Sequence, residues 1–213
     1  MGEPRTFQYF RPFPEKPSLI VERLSAARGG RMLFEGLSFE AQAGAYIEIT
    51  GANGAGKTTL LRTIAGLAPA ASGGVRVASG EASELTLHLI GHRDGLKPSV
   101  DARAHLRFWT GLLGGEPARI EPALTHFGLS AIARLPARAL SQGQARRLSL
   151  CRLISAPRPI WLLDEPAAAL DAAGRVTLAD LIAAHRAAGG VVLAAVHESL
   201  GPAPTRTLNL SAA

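Results

Sequence analysis

Gly51-Ala52-Asn53-Gly54-Ala55-Gly56-Lys57-Thr58-Thr59 decides the reading of this chain. It fits G-x-x-x-x-G-K-[ST], the phosphate-binding P-loop. The flanks supply the context that this pattern needs. Tyr46-Ile47-Glu48-Ile49-Thr50 reads as a short strand, and Leu60, Leu61, Ile64, Ala65 and Leu67 recur at helical spacing. Glycines tolerate positive φ, so the loop can wrap with its N–H groups pointing inward. Those groups and the positive end of the following helix make an anion nest. Lys57 adds a point charge for the β- and γ-phosphates of a nucleotide, and the Thr58 hydroxyl is placed for Mg²⁺.

Strands and helices alternate outward from this loop. Ser18–Leu24 reads as a first strand, 26–31 as a turn and Leu37–Ala41 as a second strand. Val75–Val77 and Leu85–Ile90 are strand-like, the latter ending at Gly91-His92. Asp101 is an N-cap for a helix bearing Ala102, Leu106, Trp109 and Leu113, and Gly114-Gly115 ends it. Helices are expected over Pro122–Phe127, over Gln142–Ser155 behind Ser141, and over Gly174–Ala188. Ile160-Trp161-Leu162-Leu163 is a continuous apolar run, as in a strand buried on both faces of a parallel sheet. Val191–Val196 ends at His197, and Arg206–Leu210 alternates as an edge strand. This pattern implies an α/β fold with ligands at the C-terminal ends of the strands.

The chain has 213 residues and a net charge of +6. Only Lys16, Lys57 and Lys97 are lysine; the other basic residues are arginine. A basic balance fits nucleic acid, anionic headgroups or nucleotide phosphates, but no RNA-recognition or zinc-finger pattern supports the first. No apolar run reaches the roughly 18 residues of a membrane-spanning helix. Residues 1–17 contain Pro4, Pro12, Pro14 and Pro17 and no apolar stretch, so a flexible tail is expected there and not a signal peptide. Its aromatics Phe7, Tyr9, Phe10 and Phe13 invite docking on an unspecified surface. Cys151, the one cysteine, excludes an internal disulfide and reads as a buried thiol on a helix.

Asp164 closes the apolar run and fits the second carboxylate that a P-loop nucleotidase needs near Mg²⁺. Glu165 follows, placed to polarise an attacking water. Leu140-Ser141-Gln142-Gly143-Gln144 then resembles the LSGGQ signature of ABC-type ATPases. The order fits that family throughout: Walker A at 51–58, signature at 140–144, Walker B at 160–165, Ala169-Leu170-Asp171 as D-loop and His197 as switch histidine. The resemblance covers residues 18–210. It implies a mostly parallel core sheet with antiparallel edge strands, in an ABC ATPase domain over 18–213. A helical signature subdomain at about 97–157 is inserted in it.

Gly91-His92-Arg93-Asp94-Gly95-Leu96-Lys97, Phe108-Trp109 and Leu33–Phe39 are similar to the ATP-binding subunit of the haem exporter of cytochrome c biogenesis, the Ccm system. That resemblance implies a peripheral ATPase on the cytoplasmic face of the bacterial inner membrane. It would work as a homodimer with membrane-spanning Ccm-type subunits, and its ATP hydrolysis would support haem export or release of a haem–chaperone complex. The alternatives are an ATPase of another ABC transporter and a soluble, non-transport ABC ATPase. Lys57, Glu165 and His197 would be catalytic, and Thr58 and Asp164 would hold Mg²⁺. Ser141 and Gly143 would face the partner copy's ATP, with Arg146 and Arg147 adding positive potential.

Departures are visible. His92 stands at the Q-loop position in place of Gln, Gln142 replaces a small signature residue, and Ala168 replaces a D-loop serine. Ala104 leaves the capping box begun by Asp101 incomplete. Arg28 falls near the position of the usual adenine-stacking tyrosine, where it either stacks on the base or is solvated. His88, His105, His126 and His185 share no ligand spacing, so no direct haem binding is expected.

Overall fold

The apolar runs of the sequence become the central strands of a parallel sheet. The computed structural model describes residues 9–13, 16–78 and 86–212. Phe7, Leu85 and the first residues of the chain lie outside that set. Eight strands are present among the described residues: β1 Ser18–Arg28, β2 Arg31–Ala41, β3 Tyr46–Thr50, β4 Ser72–Ala78, β5 Leu87–Ile90, β6 Ile160–Asp164, β7 Val191–Ala195 and β8 Arg206–Asn209. The helices are α1 Lys57–Ile64, α2 Ala102–Leu112, α3 Ile120–His126, α4 Gln142–Leu150, α5 Arg152–Ser155 and α6 Ala172–Ala187.

Strands β5-β6-β7-β3-β8 form an all-parallel sheet with β8 at its edge. The antiparallel strands lie in a sheet of their own, ordered β2-β1-β4. Alternation along each central strand divides the core in two. Trp161, Leu163, Val192 and Ala194 face the helices α2 to α6. Ile160, Leu162, Val191 and Leu193 face α1 and the antiparallel sheet. Both faces are thus covered, which is why β6 and β7 read as unbroken apolar runs.

Several boundaries differ from the sequence expectation. The expected turn over 26–31 is only Gly29-Gly30, with φ of 59° and 78°. Two left-handed residues in succession allow a tight hairpin whose twist matches its strands, so Arg28 pairs directly with Arg31. The helix expected over Gln142–Ser155 is divided at Cys151, which keeps helical dihedrals of −54° and −27°. Asp101 caps α2 by accepting from the Ala104 N–H at 2.9 Å, which is half of a capping box. The Cys151 thiol is buried against the Ala123 carbonyl at 3.4 Å, and burial pushes its pKa up.

The expected flexible tail is packed where it is described. Phe10 meets Trp161 and His185 edge-on at 5.5 and 5.3 Å, and Phe13 meets His185 at 5.4 Å. Tyr9 lies 5.3 Å from His126, and its carbonyl accepts from Arg119 at 2.7 Å. The Phe13 N–H donates to the Ala188 carbonyl at 3.1 Å. Tyr9, Phe10 and Phe13 therefore pack on this domain itself, from α6 to α3.

His185 and His88 are packing residues. The His185 ring stacks on Trp161 at 3.7 Å and donates to the Pro159 carbonyl at 3.2 Å. His88 donates to the Ala156 carbonyl at 2.6 Å. Burial pushes both pKa values down to about 3. The unfolded chain therefore binds protons below pH 6.5 that the folded chain refuses, so stability is complete above that pH and is lost towards pH 3. Two such imidazoles should lower the unfolding free energy by about 3 kcal/mol between pH 6.5 and pH 5. Urea titrations across that window measure it. A flat profile would mean that both rings are charged in the folded protein.

Candidate functional site

The site is built on the C-terminal ends of β3, β5, β6 and β7, which are neighbours in the parallel sheet. β3 delivers the chain into the P-loop and α1. Gly51, Gly54 and Gly56 have φ of 138°, 84° and 103°, which side chains other than glycine resist. A Cβ on Gly56 would also lie 3.1 Å from Leu33 and 3.2 Å from Phe34. No side chain caps α1 and its first turn holds no acid, so its N-terminus is open to an anion. Lys57 Nζ folds back along the loop, donating to the Gly51 carbonyl at 2.7 Å and the Ala52 carbonyl at 3.3 Å. A cleft of about 340 Å³ lies over this loop, lined by Arg28, Leu33, Asn53, Lys57, Thr58 and Glu165 among others.

Thr58 Oγ1 donates to Asp164 Oδ1 at 3.1 Å. Burial raises the Asp164 pKa, the Thr58 hydrogen bond opposes that, and the nearby Glu165 charge adds to it. A hydroxyl and a carboxylate side by side at a phosphate loop are hard oxygen donors, and magnesium takes few protein ligands when substrate phosphates supply the rest. Among the described residues no group of three acids, histidines or cysteines competes for such an ion. The donor set therefore fits Mg²⁺.

Glu165 is held from two sides. His197 Nε2 donates to its Oε1 at 3.0 Å, and His92 Nδ1 lies 3.3 Å from its Oε2. Its backbone is left-handed, with φ of 48°. That conformation costs a non-glycine residue about 1–2 kcal/mol, so its surroundings must hold it. Its N–H donates to the Ala195 carbonyl at 3.0 Å, and its carbonyl accepts from Arg146 at 2.8 Å.

Arg146 is the residue whose placement departs most from the sequence expectation. It is 3% exposed and does not project outward as a source of positive potential. Its guanidinium donates to the carbonyls of Gly91 at 2.7 Å, Asp164 at 2.7 Å and Pro166 at 3.1 Å, as well as Glu165. It also pairs with the Asp94 carboxylate at 3.1 Å. Arg147 leans back onto the carbonyls of Gly143 at 3.4 Å and Phe127 at 3.5 Å. The signal for burial was present in the sequence: Arg146 lies one turn before Leu150, on the face that α4 turns to the core.

The 140–144 segment stands at the start of α4. Ser141 is its N-cap in a reciprocal capping box: its Oγ accepts from the Gln144 N–H at 3.2 Å, and its own N–H donates to Gln144 Oε1 at 2.9 Å. Leu140 is half-buried, whereas Ser141 and Gln142 face solvent. A Cβ on Gly143 would lie 2.7 Å from the Ala169 carbonyl, so this glycine permits the close approach of the 166–171 loop. Asp171 caps α6 through Gly174 N–H at 2.9 Å. Within one copy the structure brings together the P-loop, His92, Asp164, Glu165 and His197, while Ser141 and Gln142 are absent from the lining of the P-loop cleft.

The profile of the ABC transporter family matches residues 34–168. The chain belongs to the ABC transporter family. It is 51% identical over 182 residues to the cytochrome c biogenesis ATP-binding export protein CcmA of Rhodopseudomonas palustris (strain BisB18), covering 84% of this chain and 90% of that one. It is 49% identical to the protein of the same name from Bradyrhizobium diazoefficiens, covering 86% and 93%. An ABC transporter ATP-binding protein from Pyrococcus furiosus shares the fold, with a TM-score of 0.78 at 21% identity over 92% of this chain and 98% of that one. An ABC chain of this kind binds and hydrolyses ATP.

Arg28 stands exposed at the mouth of the cleft.

Arg146 generates a sharp expectation. Lysine has one point of charge and cannot reproduce a planar fork with several carbonyl partners. Arg146→Lys should lower the unfolding free energy by about 3 kcal/mol, because buried carbonyls lose their donors. It should also cut ATPase activity more than ATP binding. Urea denaturation and steady-state hydrolysis check the two parts.

Proposed function

We propose that this chain is the ATP-hydrolysing subunit of an inner-membrane ABC complex that serves c-type cytochrome maturation, by haem export or by release of a haem–chaperone complex. The observation that carries the cytochrome assignment is the 51% identity to a cytochrome c biogenesis ATP-binding export protein. Among the described residues no helix is long and apolar enough to cross a membrane. A peripheral position on membrane-spanning Ccm-type subunits is consistent with that.

The geometry supports a definite division of labour. The P-loop N–H groups and Lys57 bind the phosphates of ATP, and Lys57 exchanges its loop carbonyls for phosphate oxygens. Thr58 and Asp164 would hold Mg²⁺, which would supply charge neutralisation for the phosphates. Glu165 accepts the proton of the attacking water, and His197 fixes the carboxylate that does so. Arg28, which lines the cleft, either stacks on the base or is solvated.

Two copies in head-to-tail C₂ arrangement would complete each site. Ser141, Gly143 and the N-terminus of α4 in one copy then face the γ-phosphate held by the other, and the Asp171 loops meet between them. Hydrolysis removes the group that both copies hold, and the pair separates. The segment Gly91–Trp109 and the helical subdomain at about 97–157 carry that motion to the membrane partner. Phe108 and Leu112, exposed on α2, belong to this face.

Glu165→Gln should bind ATP yet hydrolyse it at least about 100-fold more slowly, since the general base is removed while the site stays intact. Size-exclusion chromatography with ATP should show a trapped dimer, and phosphate release gives the rate. Normal turnover would remove Glu165 as the base. Lys57→Ala should abolish nucleotide binding or hydrolysis. For the cytochrome role, cells whose equivalent ATPase is deleted should regain haem-stained c-type cytochromes with this chain and not with Glu165→Gln.

A further inference from the structure

Glu48 is a buried carboxylate that the division of labour above leaves unused. It is 5% exposed and lies on β3, three residues before Gly51. The strand is otherwise filled by Tyr46, Ile47 and Ile49, and any apolar residue would suit that environment. A buried carboxylate is costly unless donors surround it. Here one oxygen, Oε1, accepts three hydrogen bonds: from Tyr46 Oη at 2.7 Å, from Ser199 Oγ at 2.8 Å and from the Leu200 N–H at 3.2 Å.

The identity of the donors gives the cluster its meaning. Ser199 and Leu200 are the second and third residues after His197. On the other side of His197, the Val196 N–H donates to the Ile49 carbonyl at 3.0 Å. The loop that presents His197 is therefore tied to the P-loop strand both before and after the histidine. Tyr46 fixes the carboxylate from within the strand, and the Arg186 guanidinium lies over the Tyr46 ring at 5.6 Å. His197 itself is half-exposed and relies on this frame to reach Glu165. We propose that Glu48 is a positioning residue for ATP hydrolysis: its carboxylate anchors Ser199 and Leu200 so that the His197 imidazole holds Glu165 in place. The inference rests on the ATPase reading and extends it from the site to the strand beneath it.

The test is a cycle of Glu48→Ala and His197→Ala, with kcat, KM for ATP and the thermal midpoint measured for each. Glu48→Ala should lower kcat about tenfold or more and leave KM within about twofold, because phosphate binding does not depend on the His197 loop. Glu48→Gln keeps an oxygen that accepts all three bonds and should restore most of the rate. In the His197→Ala background, Glu48→Ala should change kcat less than about twofold, since two residues acting through one contact are not additive. Should Glu48→Ala fold poorly, Ser199→Ala removes one donor at the surface and should show a smaller kcat loss that also vanishes without His197. Additive losses, or a full rate in Glu48→Ala, would overturn the proposal while leaving the ATPase reading intact. A full rate in His197→Ala would overturn both this proposal and the assigned role of His197.

Discussion

One buried guanidinium ties the catalytic end of this domain together. The chain ends of β5 and β6 expose carbonyls at Gly91, Asp164, Glu165 and Pro166 that no strand partner can reach, and Arg146 takes all four. Its charge would be prohibitive at this depth without those dipoles and the Asp94 carboxylate. The arrangement explains how Glu165 is kept at a positive φ. It also makes α4 part of the floor of its own site. Through Arg146, α4 is hydrogen-bonded to the loop of His92 and to the backbone of Glu165. In the proposed dimer, the helix that would face the partner's nucleotide is thus hydrogen-bonded to the backbone of the proposed base.

The sheet explains why these groups converge at all. Parallel strands place every C-terminal end on one edge, and four adjacent strands each contribute a functional turn there. Both faces of the sheet are used for packing, by helices on one side and by α1 with the antiparallel sheet on the other. The edge is therefore where polar chemistry can stand without breaking a core. Glu48, like His88 on β5, departs from this: it is a carboxylate set into the packed face. Its three donors are what make that position tolerable, and two of them come from the loop that carries His197.

Sequence reading succeeded where local chemistry determines structure. Glycines at 51, 54 and 56, the apolar run 160–163 and the cap at Ser141 each carry their own physical signal, and the strand-end positions of His92, Asp164 and His197 followed from them. It failed where a residue's role depends on a partner distant in the chain. Arg146 meets Gly91, more than fifty positions away, so its charge reads in sequence as positive potential for the partner copy's ATP. Glu48 meets Ser199 in the same way, and nothing in an alternating strand announces it. The tail aromatics showed that docking was wanted, but the seat of Phe10 and Phe13 at Trp161 and His185 depends on the packing of α6 against β6. The hairpin was shortened in expectation because polar and glycine residues near 26–31 resemble a loop, whereas two left-handed glycines allow the strands to continue almost to the tip.

The capping box also bears on what the signature segment can offer to a second copy. Ser141 Oγ is occupied as an acceptor by the Gln144 N–H, and the Ser141 N–H is occupied by Gln144 Oε1. A serine hydroxyl that accepts still has one proton to donate, and the cap fixes the direction in which the oxygen stands. Gln144 is thus needed for orientation and Gly143 for proximity, because a side chain there would meet the Ala169 carbonyl. The departure at Gln142 is tolerated for the same reason: it is exposed and takes no part in the cap. A partner's γ-phosphate would then meet a pre-oriented hydroxyl and the N-terminus of α4. These are donors without a full positive charge, suited to binding a phosphate that must be released after each turnover.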